Sequence, residues 1–294
     1  MKRYEPYCFL SPRTKVITLY VEGIARGRAF IETARAISQR KPIVALYVGG
    51  SETGKRAGFS HTGSLAGSDE VYDGVFRQCG ILRAQTLSEL FDYALALGTL
   101  PRPAGNRVVI QTHSGGPGAT AADACGRAGL ELPSLSDATV ERLRPLIPRT
   151  ASTANPVDLT FSKNPMDDFY KIPDVLLQSE ETDILLAYFL SPGIFIERML
   201  KNMGLPAERI QEEATKTIAQ LAHTFYSLTT RHQKPIVGFT YRSLQEQMVR
   251  TLLDRGIPIF QDPERAARAI AAVLRYYRTR DGLAQESRSE NQAG

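Results

Sequence analysis

Tryptophan is absent from this sequence, and cysteine and histidine are scarce, with three and four residues respectively. The three cysteines, Cys8, Cys79 and Cys125, show no CxxC spacing and cannot all be paired. Neither a disulfide framework nor a zinc site is therefore expected, and the thiols are predicted to be reduced residues of the core. No metal site is predicted.

Long apolar runs are also missing. The basic residues Lys2 and Arg3 are followed by Glu5 and Pro6 rather than by the apolar segment of a secretion signal. No later run approaches the length of a membrane span. We therefore expect a cytoplasmic protein with no membrane partner.

The sequence also lacks a basic stripe. The 36 Lys and Arg residues are scattered among 31 Asp and Glu residues, which leaves a net charge of +5. Nucleic-acid binding is not expected, because no basic face carries interleaved aromatic residues.

Short β-branched and apolar runs alternate with amphipathic helical segments along the whole chain, and the length suits two domains. This alternation predicts an α/β protein with parallel sheets and helices on their faces. The predicted strands are 15–21, 43–48, 81–84, 107–112, 184–190, 236–240 and 257–260. The predicted helices are 27–39, 65–78, 87–97, 119–128, 137–146, 209–229, 243–254 and 263–277.

The stretch 98–106, which contains Pro101, Pro103 and Gly105, is the best candidate for a linker. It separates a first unit, residues 1–100, from a second unit, residues 106–278. The polar residues 279–294 are predicted to form a disordered tail.

A glycine-rich stretch, residues 49–69, lies between the second predicted strand and the following helix. It contains six glycines and one histidine, His61. Residues Ser60 to Ser64 are expected near a helix N-terminus, where unpaired backbone N–H groups attract anions. A neutral imidazole in such a place can attack a phosphoryl or acyl group. A surface turn with an incidental histidine remains the alternative.

A second glycine turn, His113-Ser-Gly-Gly-Pro-Gly118, follows the strand 107–112 and precedes a predicted helix. Its backbone amides could hold a phosphate, although a plain tight turn explains the pattern as well. Further along, Pro156 excludes a helix in the segment Asn155-Pro-Val-Asp158. The carboxylate of Asp158 could bond a nearby loop, or the segment could be only a turn.

The chain contains an internal repeat. Arg40-Lys-Pro-Ile-Val44 recurs as Gln233-Lys-Pro-Ile-Val237, and each copy is followed by a helix, a Gly-Ile pair and a last helix. Pro42 and Pro235 are 193 positions apart, whereas Gly80 and Gly256 are 176 apart, so the first copy is 17 residues longer. The additional residues form the stretch around His61, which favours a functional site added to a repeated scaffold.

Several segments together resemble the NDP-forming acyl-CoA synthetase family, which includes ADP-forming acetyl-CoA synthetase and, more distantly, the succinyl-CoA synthetase α subunit. The most specific segment is Gly58-Phe-Ser-His-Thr-Gly-Ser-Leu-Ala-Gly-Ser-Asp-Glu-Val-Tyr-Asp73. The resemblance also includes Phe76-Arg-Gln78, Gly80-Ile81, Tyr20-Val-Glu-Gly23, Ser114-Gly-Gly-Pro-Gly118, Ala121-Ala-Asp123 and Asn155-Pro-Val-Asp158. It extends over roughly residues 10 to 278 and implies two flavodoxin-like, succinyl-CoA synthetase-like units.

The resemblance implies that His61 is a catalytic residue that becomes phosphorylated, relaying phosphate between an acyl phosphate and ADP or ATP. Glu22 corresponds to the glutamate that hydrogen-bonds this histidine, which would fix its tautomer. The transferring phosphate would be held by residues of both glycine turns: Ser60, Thr62, Gly63, Ser64, Gly115, Gly116 and Gly118. His113 replaces the usual asparagine of the second turn.

The resemblance further implies partners for this chain. Relatives carry a CoA-binding domain and an ATP-grasp domain, and neither has a recognisable counterpart here, so CoA, ADP or ATP and Mg are expected in the complete enzyme. The first unit is expected to be truncated at its N-terminus, with three strands. We expect an oligomer that is inactive as an acid–thiol ligase without those domains.

Two other functions remain alternatives. One is a non-catalytic interaction or regulatory module derived from the same family. The other, an FMN-binding flavodoxin-like domain, is disfavoured because no hydroxyl-rich phosphate loop follows the first strand. The sequence does not define the acyl substrate, the choice between ADP and GDP, or the direction of the reaction.

Overall fold

A computed structural model describes residues 11–54, 67–160, 164, 166–190 and 192–293 of the chain. The chain divides into two units between Gly98 and Thr99, and again between Ala271 and Ala272. The first unit therefore combines the residues up to Gly98 with those from Ala272, and the second runs from Thr99 to Ala271.

Three parallel strands form the sheet of the first unit. They are β1 (Ile17–Val21), β2 (Ile43–Tyr47) and β3 (Leu82–Ala84), in the order β1-β2-β3. The helices α1 (Gly27–Ser38), α2 (Asp69–Cys79) and α3 (Leu87–Thr99) come after β1, β2 and β3 in the chain. Every residue of the central strand β2 is buried, which its uninterrupted apolar sequence explains.

Five parallel strands form the sheet of the second unit. They are β4 (Val108–Thr112), β5 (Val157–Asp158), β6 (Ile184–Tyr188), β7 (Ile236–Phe239) and β8 (Ile259–Phe260), in the order β5-β4-β6-β7-β8. This is the flavodoxin-like strand order, in which the chain reverses direction across the sheet between β4 and β6. Ligands of such sheets bind outside the carboxyl ends of the strands at that point.

The remaining helices are α4 (Gly115–Arg127), α5 (Asp137–Leu143), α6 (Lys171–Gln178), α7 (Pro192–Asn202), α8 (Ala207–His232), α9 (Gln247–Asp254) and α10 (Pro263–Ala293), with a short 3₁₀ helix at Asp167–Phe169. Helix α10 contributes residues to both units. The two parallel sheets confirm the predicted α/β class with two flavodoxin-like units.

The internal repeat is visible in the backbone. Strands β2 and β7 both begin at the isoleucine of the Lys-Pro-Ile-Val segment. Gly80 and Gly256 have φ angles of +70° and +92°, in the left-handed region that glycine adopts at low cost. The connection before the intervening helix spans residues 48–68 in the first copy and 240–246 in the second.

Two sequence predictions need correction. Residues 279–294 were expected to be a disordered tail, but α10 continues to Ala293. Tyr276 and Leu283 explain this difference, because they are buried in the first unit and anchor the helix there. The Tyr276 hydroxyl also donates a hydrogen bond of 3.1 Å to the carbonyl of Ser38.

The helix after the second glycine turn begins at Gly115 rather than near residue 119. The Gly-Gly-Pro-Gly segment is thus the first turn of α4. Pro117 is tolerated there, since the first N–H groups of a helix have no intrahelical acceptor. Strand β5 and helices α6 and α7 were not predicted, because their short apolar segments lack clear periodicity.

Candidate functional site

Glu22 lies at the C-terminal edge of the first sheet, immediately after β1. Its side chain is exposed. The backbone N–H of Val48 donates a hydrogen bond of 2.9 Å to the carbonyl of Val21, so the chain leaves β2 directly beside Glu22. This connection, residues 48–68, is the one that contains His61.

The other end of the connection is held at the same edge by two tyrosines. The Tyr47 hydroxyl donates a hydrogen bond of 2.9 Å to the carbonyl of Gly67. Tyr47 stacks on Tyr72, with ring centroids 3.8 Å apart, and the Tyr72 hydroxyl accepts a hydrogen bond of 3.0 Å from the N–H of Ile24. Residues 48–68 therefore begin and end beside the segment that carries Glu22.

Helix α2 begins just after this anchor. The Ser68 hydroxyl accepts a hydrogen bond from the N–H of Val71, which caps the helix. Asp69 forms an ion pair with Arg83 of β3, and it packs against the backbone at Gly50 so closely that a Cβ there would lie 2.2 Å from its Oδ1 atom. The carboxylate of Asp69 thus joins both ends of the connection to β3.

The predicted phosphoryl acceptor and its phosphate-binding neighbours lie outside the described residues, within 55–66. They are His61, Ser60, Thr62, Gly63 and Ser64. Their placement near Glu22 stays a prediction, as does a hydrogen bond between Glu22 and His61.

The predicted phosphate-binding glycines of the second unit are in the first turn of α4. Gly118 is buried, and a Cβ there would lie 2.9 Å from Cγ2 of Thr112 and 3.4 Å from Cβ of Pro156. A Cβ at Gly116 would have no neighbour within 4 Å. Gly118 is therefore required for packing, whereas Gly115 and Gly116 are exposed at the N-terminus of the helix, where an anion can approach.

Asp158 opposes an anion at this turn. It ends β5, next to β4, and its Oδ2 atom would lie 3.7 Å from a Cβ at Gly115. Its other oxygen accepts hydrogen bonds from the N–H and the hydroxyl of Thr160. A phosphate at Gly115 would therefore approach a carboxylate as well as the helix amides.

His113 occupies the same sheet edge as a mostly buried, neutral residue. Its Nδ1 atom lies 3.5 Å from Oδ2 of Asp168, and its ring is tilted against that of Tyr188. Burial lowers the pKa of His113 to about 4, although the charge of Asp158 acts in the opposite direction. At neutral pH this imidazole carries no positive charge that could attract a phosphate.

Asp168 was not identified from the sequence. It is buried, and its backbone carbonyl accepts a hydrogen bond of 2.8 Å from the side-chain amide of Gln111. No sequence signal links His113 to a residue 55 positions later, because the contact depends on the fold of the 3₁₀ segment Asp167–Phe169.

Within the described ranges no three His, Cys, Asp or Glu side chains are grouped so that they could hold a metal ion. The helices in the described part of the chain include none that is long and apolar enough to cross a membrane.

Residues 3–97 match the family described as succinyl-CoA ligase like flavodoxin domain. The acetate–CoA ligase (ADP-forming) II subunit alpha of Pyrococcus furiosus is 37% identical over 261 residues, covering 88% of this chain and 53% of the relative. The corresponding I subunit alpha of that organism is 34% identical over 266 residues, covering 90% and 53%. The chain thus spans about half the length of the curated relatives it matches.

A similar solved structure is the dinucleotide forming acetyl-coenzyme A synthetase 1 of Ca. Korarchaeum cryptofilum, in complex with phosphate and ADP. It superposes with a TM-score of 0.75 at 29% identity, covering 95% of this chain and 56% of that protein. Fold and sequence agree, and the chain belongs to the NDP-forming acyl-CoA synthetase family.

Proposed function

We propose that this chain supplies the phosphohistidine segment of an NDP-forming acyl-CoA synthetase, with His61 as phosphoryl acceptor and Glu22 as its hydrogen-bond partner. One observation carries the proposal. The connection that contains His61 leaves the first sheet beside Glu22 and returns to the same edge through Tyr47 and Tyr72. In the repeat, the β-strand registers place Leu190 at the position of Glu22, so the copy without the insertion also lacks the carboxylate.

The chemistry requires a neutral imidazole with a defined tautomer. In the first step a ring nitrogen of His61 attacks the phosphorus of an acyl phosphate; the N–P bond forms, the bond from phosphorus to the acyl oxygen breaks, and the carboxylate leaves. In the second step a terminal phosphate oxygen of ADP attacks the same phosphorus, the N–P bond breaks and ATP forms. Glu22 accepts a hydrogen bond from the protonated ring nitrogen and leaves the other nitrogen available for attack.

Backbone amides supply the remaining stabilisation in this proposal. Those of Ser60, Thr62, Gly63 and Ser64 surround the histidine in sequence, and those of Gly115 and Gly116 begin α4. Such donors hold the equatorial oxygens of a transferring phosphoryl group. The nearby carboxylate of Asp158 favours a transient phosphate over a tightly bound one at α4.

The rest of the enzyme would come from a CoA-binding domain and an ATP-grasp domain. Two relatives are named as alpha subunits, and the Korarchaeum protein was solved with phosphate and ADP. CoA, the nucleotide and Mg would belong to that assembly, and its overall reaction would convert acyl-CoA, phosphate and ADP into the acid, CoA and ATP.

A non-catalytic role within the same family is the alternative. It is favoured by His113, which stands where the family usually has asparagine in the second glycine turn. This departure concerns the turn at α4 and does not affect the attack by His61.

Direct phosphorylation tests the proposal. The full chain is incubated with radiolabelled acetyl phosphate, a simple acyl phosphate, and should acquire a label that resists base and is lost in acid, as a phosphoramidate does. His61→Ala should abolish the label. Glu22→Gln should slow labelling by roughly 10² to 10⁴, the usual contribution of a positioned acid–base group. Glu32→Gln, on the exposed face of α1, is the matched control and should label normally.

Reconstitution with the CoA-binding and ATP-grasp domains of a related enzyme gives the second readout. Turnover should require His61. Equal turnover by His61→Ala would refute the phosphohistidine mechanism, and failure to label His61 in every assembly would favour the non-catalytic alternative.

A further inference from the structure

A cleft of about 500 Å³ opens in the first unit. It runs along β3 and is bounded by α2 on one side and by α10 on the other. Its polar lining consists of three arginines, one carboxylate and two neutral groups: Arg77, Arg83, Arg275, Asp73, Gln85 and Thr279.

The charges of this cleft do not cancel. Arg77 pairs with Asp73 at 3.0 Å, and the remote end of Arg83 pairs with Asp69 and, at 3.5 Å, with Asp73. Arg275 forms no ion pair within the described part of the chain. Three guanidinium groups therefore share two carboxylates, which leaves an excess positive charge at the opening.

Arg83 is the most buried of the three arginines, with a side-chain exposure of 12%. Its terminal nitrogens bond Asp69, but its buried Nε has no hydrogen-bond acceptor in the described residues. A buried donor without an acceptor is unfavourable, because it has lost its hydrogen bonds to water without replacement. The present contacts of this guanidinium are therefore incomplete, and an added acceptor would be stabilising.

We propose that this cleft binds a small, multiply charged phosphate-bearing metabolite. Guanidinium groups match phosphate oxygens in geometry and in charge, and the amide of Gln85 and the hydroxyl of Thr279 add neutral donors. The volume lies within the range of small-ligand sites.

Binding at the cleft would be coupled to the connection that contains His61. Asp69 competes with the ligand for Arg83, and Asp69 also packs against Gly50. A phosphate that draws Arg83 toward the cleft weakens its pairing with Asp69 and loosens both ends of residues 48–68. The cleft is thus a regulatory site, and its binding step does not depend on phosphorylation of His61.

Calorimetry with inorganic pyrophosphate tests the binding step on the full chain. One pyrophosphate should bind per chain, and acetate, a monoanion, should bind far more weakly. Arg275→Gln and Arg77→Gln should each weaken pyrophosphate binding about tenfold or more, the usual effect of losing a charge-assisted hydrogen bond. Arg28→Gln, an exposed arginine of the same unit, is the matched control and should bind normally.

Two further results separate this site from the phosphohistidine segment. His61→Ala should retain pyrophosphate binding, whereas a site at the histidine would lose it. Hydrogen exchange in 48–54 and 67–73 should become faster with pyrophosphate in the wild type and remain unchanged in Arg275→Gln. Binding that survives both arginine substitutions, no binding at all, or binding only of an acidic peptide along β3 would each overturn the proposal.

Discussion

Tyr72 accepts a hydrogen bond of 3.0 Å from the backbone N–H of Ile24, 48 residues earlier in the chain. Its ring stacks on Tyr47, which in turn holds the carbonyl of Gly67. Tyr47 and Tyr72 therefore join the end of the connection that contains His61, residues 48–68, to the segment that follows β1.

Replacing Tyr72 by Phe should keep the stacking and remove this acceptor. We expect a loss of about 1 kcal/mol in the free energy of unfolding and faster hydrogen exchange at the Ile24 amide, because that N–H loses its partner. Tyr20→Phe is the control, since Tyr20 is 58% exposed on β1. Unchanged exchange at Ile24 in Tyr72→Phe would show that the hydroxyl does not hold this segment.

His113 should make the second unit sensitive to mild acid. Its pKa is lowered from 6.5 to about 4 by burial, so the unfolded chain binds the proton more tightly than the folded one. The contribution to stability is fully present above pH 6.5 and is lost as the pH falls towards 4, by up to roughly 3 kcal/mol.

His113→Asn removes this titration and keeps a polar side chain of similar reach. Urea unfolding at several pH values should show a smaller loss of stability between pH 6.5 and 4 for the variant than for the wild type. The carboxylates Asp158 and Asp168 are present in both proteins. Parallel pH profiles would therefore show that the acid sensitivity does not come from His113.

Two glycines of α4 should respond oppositely to alanine. Gly118→Ala places a Cβ 2.9 Å from Thr112 and should destabilise the second unit by about 1–3 kcal/mol, as overpacking does. Gly116→Ala enters open space and should be neutral or stabilising by up to about 1 kcal/mol. Thermal unfolding of both variants measures the difference, and equal shifts would mean that the turn repacks around Gly118.

Strand β1 should promote association of the chain. It is an edge strand that pairs, in the described residues, with β2 alone, and such edges recruit further strands. Light scattering should detect oligomers. Tyr20→Lys, which places a charge on the exposed face of β1, should shift them toward the monomer, while Val71→Lys on α2 should not. A stable wild-type monomer at high concentration would refute this prediction.

The sequence predicted the parts of the fold that depend on local pattern. The continuous apolar strands and the helices of the first copy follow from neighbouring residues. Strand β5 was not predicted, because its two residues are extended only through pairing with β4. The extent of α10 depends on the burial of Leu283, which local composition does not reveal.

In the candidate site, too, local sequence predicted the position of single residues but not the contacts between distant ones. Glu22 was placed at a strand end because its run of β-branched residues stops there. The stacking of Tyr47 on Tyr72, the pairing of Asp69 with Arg83 and the contact of His113 with Asp168 join residues that are distant in sequence. Such contacts arise only when the sheet has formed, so no local pattern could have predicted them.

The connection that contains His61, residues 48–68, leaves and rejoins one edge of the first sheet. The equivalent connection in the second copy of the repeat is shorter and consists of residues 240–246. The two copies of the fold therefore accommodate connections of different length at this position. Over evolutionary time the segment can be exchanged, shortened or inactivated while the core is inherited intact. A descendant that lost His61, the proposed nucleophile, could keep the strands and helices of this unit and be selected for another role.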